Sequence, residues 1–176
     1  MAFRLPRLLL AASLAATLPL TAFAQAQEKD SQGGTPTDAA FYQNATAANI
    51  SEVQLSQLAL KQASSAKVKQ FAQKMVDDHT KANETLEGLR NGDKGYSTAT
   101  EPTPDASKDM DALKLLNGKE FDRQYAKTMV AGHEKAVAMF EVEAEKGSNP
   151  AMKDFANKTL PTIRQHLKMA KALPTK

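Results

Sequence analysis

The chain has 176 residues, 41% of them hydrophobic, with no cysteine, and its formal charge of +3 falls to +1 once Arg4 and Arg7 of the leading segment are set aside. That length suits one domain of ordinary size and hardly two. A chain without cysteine must take its stability from a packed core and not from disulfides. A nearly balanced charge with no basic stripe among aromatics excludes nucleic acid as the expected partner.

Residues 1–24 open with two arginines, continue through an apolar run from Leu8 to Leu20 and close on Ala22-Phe23-Ala24. This is the pattern of a secretory signal peptide cut after Ala24. The apolar run is too short to favour a membrane span, so no transmembrane segment is expected in the mature chain. No cysteine follows that would carry a lipid anchor. The expected location is the periplasm, with secretion as the alternative. Residues 25–36, QAQEKDSQGGTP, are polar and glycine-rich and read as a flexible leader.

From 37 to 173 the apolar residues recur with helical period. A first helix is predicted over about 38–62, with Thr37 as a possible cap and Phe41, Ala45, Ala48, Leu55, Ala59 and Gln62 on one face, Glu52 among them. ASSAKV breaks the pattern, and Ser64 or Ser65 is a suitable N-cap for a second helix over about 66–90. Its face carries Val68, Phe71, Ala72, Met75, Leu86 and Leu89 around His79.

Residues 91–118 form a long crossover, in which Thr103-Pro104 caps a short helix that Gly118 is expected to stop. A third long helix over about 119–146 presents Phe121, Tyr125, Met129, Val137 and Phe140 around His133. GSNP then stops and restarts the chain for a fourth, over about 150–172, with His166 beside Leu167 on its face and Pro161 predicting a kink or a local break.

Two helical hairpins with short turns, joined by a long crossover, predict an all-α fold, a ferritin-like four-helix bundle. SSAKVKQFAQK from Ser64 aligns with SNPAMKDFANK from Ser148 at an offset of 84, as if one hairpin had been duplicated. A competing echo at an offset of 54 pairs MVDDHTKA at 75–82 with MVAGHEKA at 129–136.

Glu52, His79, His133 and His166 are polar residues on or beside apolar faces, one on each long helix. Counted from the turns near 64 and 148, they stand about 12 to 18 residues away, or roughly 18–27 Å at 1.5 Å per residue. That is close to mid-height for all four, so they can share one layer. Imidazoles with a carboxylate form a candidate metal site for zinc, iron, manganese or copper. Asp78 and Glu134, next to two of the histidines, are candidates for an outer shell. Met75 and Met129, each four residues before a histidine, and Met169, three after His166, are candidate soft ligands for Cu(I). The competing reading makes the cluster a hydrogen-bonded structural device and the methionines core filler.

Catalytic signals are absent, and no catalytic residue is assigned. The residues three before His79, His133 and His166 are Val76, Val130 and Ile163, so the Glu-x-x-His motif of di-iron centres is missing. No Gly-x-Ser-x-Gly elbow or phosphate-cradling glycine loop occurs, and NGDKG at Asn91 reads as a turn.

The stretch from Glu52 to Asn83, with its Glu, Leu-x-x-Leu-Ala, Val-Lys-x-Phe-Ala and Asp-His, then FDRQYAKTMVAGHEKAVAMFE from Phe121 and LPTIRQHLKMA from Leu160, resembles a bacterial family of exported proteins. It is known as domain of unknown function 4142 and often labelled "predicted outer membrane protein". The resemblance covers about 37–173. It implies a ferritin-like fold, no established activity, and recurrence of the glutamate and histidines at Glu52, His79, His133 and His166. The outer-membrane label does not fit, because the chain shows no alternating barrel strands.

Two expectations follow, with a redox enzyme that uses the same metal as a weaker third. The first is a metal-binding protein of the envelope, for metal handling or stress protection. The second is a non-catalytic interaction module with a structural cluster, whose partner is an envelope protein or a second copy of the chain.

Overall fold

The structure, a computed structural model, describes residues 38–90 and 95–174. The expected signal peptide, the leader, Thr37 and residues 91–94 of the crossover lie outside the described residues. The rest is all-helical: α1 Asp38–Gln62, α2 Ala66–Arg90, α3 Pro104–Lys114, α4 Gly118–Lys146 and α5 Pro150–Lys171, with no strand among the described residues. None of these helices is long and apolar enough to cross a membrane.

α1 packs along α2 and α5 along α4, while α1 also meets α4 and α2 meets α5. The four long helices therefore enclose a common interior. α3 lies across α1 and α4, seated by buried Ala106 and Leu113.

Local chemistry sets the helix ends. Thr103 caps α3 by accepting from the Ala106 amide, with Pro104 in the first turn. Asn149 caps α5 by accepting from Ala151 and Met152, with Pro150 next. Both are the arrangement in which a side-chain oxygen takes an orphan amide and proline needs none.

Two details differ from the sequence expectation. α3 stops at Lys114 with Leu115 as its C-cap, and Gly118, at φ +59°, opens α4. The stop is earlier because the Leu115 and Leu116 amides turn back to Ala112 and Leu113. Pro161 does not break α5, which runs through it. The face opposite Pro161 is pinned to the core by Leu160 and Ile163, and this packing outweighs one missing backbone bond.

The interior divides into two apolar clusters. One holds Leu55, Val68, Phe71, Met75, Tyr125 and Met129; the other holds Phe41, Leu86, Phe140, Met152, Phe155 and Ile163. A polar layer separates them.

Candidate metal centre

The polar layer is built by one or two residues from each long helix. α1 contributes Asn49 and Glu52, α2 His79, α4 His133 and α5 His166. His133 and His166 are 1% exposed, and His79 and Glu52 8%. Burying so many polar side chains requires partners for them.

Each imidazole has one such partner. His79 Nδ1 lies 2.8 Å from Asn49 Oδ1, while the Asn49 amide group donates to Asn83, so the oxygen is the part left to accept. His133 Nδ1 lies 2.8 Å from the Met129 carbonyl, and His166 Nε2 lies 2.8 Å from a carboxylate oxygen of Asp78. Carbonyl and carboxylate oxygens only accept, so the proton of each neutral ring sits on the bonded nitrogen. The other nitrogen therefore carries a lone pair.

Those other nitrogens, His79 Nε2, His133 Nε2 and His166 Nδ1, are buried without a hydrogen-bond partner, as is Glu52 Oε2. The three rings form a nearly equilateral triangle, with centroids 5.7, 5.5 and 5.6 Å apart. One ring nitrogen from each lies within 4.8 Å of those of the other two. Each unsatisfied buried polar atom costs about 1–3 kcal/mol, so the layer favours a species that can satisfy these atoms.

Protons do not relieve it at neutral pH. Burial, and then the neighbouring rings, push His79 down to about 3. Burial also carries His133 down to about 4, against the Met129 bond, and it holds His166 below the usual histidine range although Asp78 opposes it. All three rings are neutral, which is the form that ligates metals.

Glu52 stands slightly apart. Its Oε1 is 3.5 Å from His133 Nδ1, the nitrogen already bonded to Met129, and it is not one of the three converging groups. Burial pushes its carboxyl up to about 8, so it is protonated at neutral pH. Gly132 makes room for it: a Cβ there would lie 3.0 Å from Glu52 Oε1.

The remaining sequence candidates fall in different places. Asp78 fixes His166 and also pairs with Lys74 at 2.8 Å. Burial would raise the Asp78 carboxyl, but Lys74 and His166 hold it below the usual range. Glu134 points outward to Lys171, half exposed. Met75 and Met129 are fully buried in the apolar cluster beside the layer, and Met169 packs against its edge.

Asn49 is the residue the sequence reading passed over. A polar residue four after Ala45 and three before Glu52 shares their face of α1, and that spacing was the available signal. Asparagine is common enough on exposed helix faces to hide it.

A cavity of about 560 Å³ opens between α1, α3 and α4 and is lined at its inner end by Glu52, His79 and His133. A second groove, of about 540 Å³ between α2 and α5, is lined by Asp78 and by none of the histidines.

The family described as "Domain of unknown function (DUF4142)" matches residues 21–173. The chain belongs to that family. Comparison with curated proteins found no match. Among solved structures, this DUF4142 chain is similar in fold to a DUF305 fragment from Deinococcus radiodurans, with TM-score 0.67, 17% identity, and 78% of this chain and 94% of that one covered. It is also similar to a DUF305 protein from Streptomyces coelicolor, with TM-score 0.65, 14% identity and 78% and 90% covered. A third is CopM in its Cu(II)-bound form, with TM-score 0.66, 18% identity and 77% and 94% covered. CopM has also been solved with Cu(I) and with Ag. At these identities the likeness is one of fold.

Proposed function

We propose that this protein is an exported, ferritin-like helical bundle that binds a transition-metal ion, copper before others, through His79, His133 and His166. One observation carries the reading: three buried neutral imidazoles face one another, each with its second nitrogen anchored and its lone pair unsatisfied. A metal ion is the species that satisfies three lone pairs at once. The anchors Asn49, Asp78 and the Met129 carbonyl hold the rings in the tautomer that ligation needs.

The choice of copper rests on two arguments. An imidazole set without a thiolate suits several divalent ions, and among these Cu(II) binds tightest. The same fold, in CopM, has been seen with Cu(II), Cu(I) and Ag. Zinc, iron and manganese remain the competitors to test. In this reading Glu52 is the carboxyl that balances a divalent ion by giving up its proton, and Met75 and Met129 fill the core without ligating.

The role is storage, buffering or stress protection in the cell envelope. Export rests on the leading sequence, with its two arginines, apolar run and Ala-Phe-Ala.

The deciding experiment is elemental analysis of untagged protein purified from periplasm, beside a variant in which Glu52, His79, His133 and His166 are all replaced by alanine. Near-stoichiometric metal in the first and none in the second supports the reading. No metal in either, with a large loss of stability in the variant, makes the cluster structural and favours the interaction-module alternative.

A further inference from the structure

The imidazoles are buried, so an ion must reach them, and the two clefts that approach the layer differ in chemistry. The cavity between α1, α3 and α4 touches His79 and His133 directly and carries the carboxyl groups of Glu52, Asp105 and Asp109. Its one cationic side chain, Lys135, is held by Asp105 at 2.7 Å. The groove between α2 and α5 carries Lys74, Lys81 and Lys158 against Asp78 and Asp154, and it stops at Asp78 without touching a histidine. Lys74 is paired with Asp78 and Lys158 with Asp154, so the charge left over is the Asp109 carboxylate in the first cleft and the Lys81 ammonium in the second, and a cation is favoured in the first.

The first cavity is also built as a passage. Ala48, Ala131, Gly132 and Ala136 line it, and their small side chains leave the space between α1 and α4. The start of α3 lines its outer side, pinned where the Thr103 amide donates to Ser51 Oγ at 2.9 Å. At the inner end stands Glu52, more than nine-tenths buried, with Oε2 unpartnered. It lies between the acidic mouth and His133.

We infer that this cavity is the route by which the metal ion reaches and leaves the imidazoles, with Asp109 drawing it in and Glu52 as a transient oxygen ligand on the way. The inference rests on the metal-binding reading, and it adds a direction of approach and a kinetic role for residues outside the three-histidine set.

The test is stopped-flow mixing of apo protein with Cu(II), read by quenching of tyrosine fluorescence, alongside equilibrium copper content. Two variants narrow the cavity from different helices, Ala48→Leu and the exposed Ala131→Phe; Ala82→Leu narrows the other groove. Asp109→Asn reports on the mouth. Both narrowing variants should slow association at least tenfold with copper content unchanged, and Ala82→Leu should leave the rate alone. Asp109→Asn should slow it a few-fold at low salt and not at high salt. Unaltered rates in both narrowed variants, or equal slowing by Ala82→Leu, would overturn the route while leaving the site intact. A parent protein that takes up no copper at equilibrium overturns route and site together.

Discussion

The Nδ1–H of His133 donates to the Met129 carbonyl oxygen, 2.8 Å away and one helical turn earlier. The methionine of the repeated octapeptide thus acts on this histidine through its backbone. The bond turns the ring so that Nε2 is left buried and unpartnered. Replacing His133 by alanine removes that unsatisfied nitrogen, worth about 1–3 kcal/mol, which offsets much of the roughly 2–5 kcal/mol cost of emptying a buried side-chain volume, so the apo protein should lose about 2 kcal/mol or less. The metal response should vanish. At a free ion concentration 100 times Kd, binding adds about 2.7 kcal/mol, roughly 10 °C in a domain of this size. Melting curves with and without copper check both halves; a large loss in the apo protein would speak for a structural cluster.

Asn49 holds His79 as the Met129 carbonyl holds His133, but from another helix. Without it, the His79 ring is free to turn and to exchange tautomer. Asn49→Ala should therefore lower metal affinity about 10–100-fold, as losing an orienting partner does, while the helical circular dichroism is kept. A competition titration against a chelator of known affinity measures it. Unchanged affinity would mean that packing alone positions His79.

The all-helical character was legible because every apolar run keeps helical period and the breaks carry Ser, Asn, Gly or Pro. Glu52 and the histidines could be picked out because each interrupts an apolar face, and counting from the turns put them at similar heights. What could not be read was the second contact of each ring. Asn49 looks like any surface asparagine until α2 is packed beside α1. The separation of Glu52 from the three-nitrogen group depends on the rotation of α1, which its weakly segregated face leaves open: α1 buries Thr46, Asn49, Ser51 and Ser56 as well as its apolar residues.

The buried groups set opposing pH dependences. Glu52 has a folded value of about 8 against an ordinary 4.5. Its contribution is full below about 4.5 and is lost as pH rises toward 8, at up to roughly 1.4 kcal/mol per pH unit. The histidines go the other way. With His79 at about 3 and His133 at about 4, the unfolded chain gains protons first as pH falls below 6.5, so stability drops between about 6.5 and 4. Glu52→Gln should flatten the slope above about pH 6.5 and, because the carboxyl opposes the histidines below it, steepen the acid fall. Urea melts of the apo protein from pH 4.5 to 8.5 read both, and an undiminished alkaline slope in the variant would assign that slope to another group.

The same capping contact closes both hairpins, at the offset of 84 seen in the sequence. Asp38, at the start of α1, accepts from the Ser148 amide and hydroxyl and the Asn149 amide. Asp122, near the start of α4, accepts from the Ser64 amide and hydroxyl and the Ser65 amide. Each aspartate thus caps the turn of the opposite hairpin, and Phe71 and Phe155, at the same offset, are both buried. For Asp38 burial works against ionisation, yet the bonds from Ser148 and Asn149 hold its carboxyl down at about 2. Charge-assisted bonds of this kind are worth about 1.5–3 kcal/mol each before the ordering cost, so Asp38→Ala and Asp122→Ala should each cost about 1–3 kcal/mol. The aspartates serve separate turns and share no partner, so the double variant should lose the sum within about 0.5 kcal/mol. Chemical denaturation of the four proteins tests this. A double variant no less stable than either single one would show that the two caps act as one unit, joined through the helices that carry the metal layer.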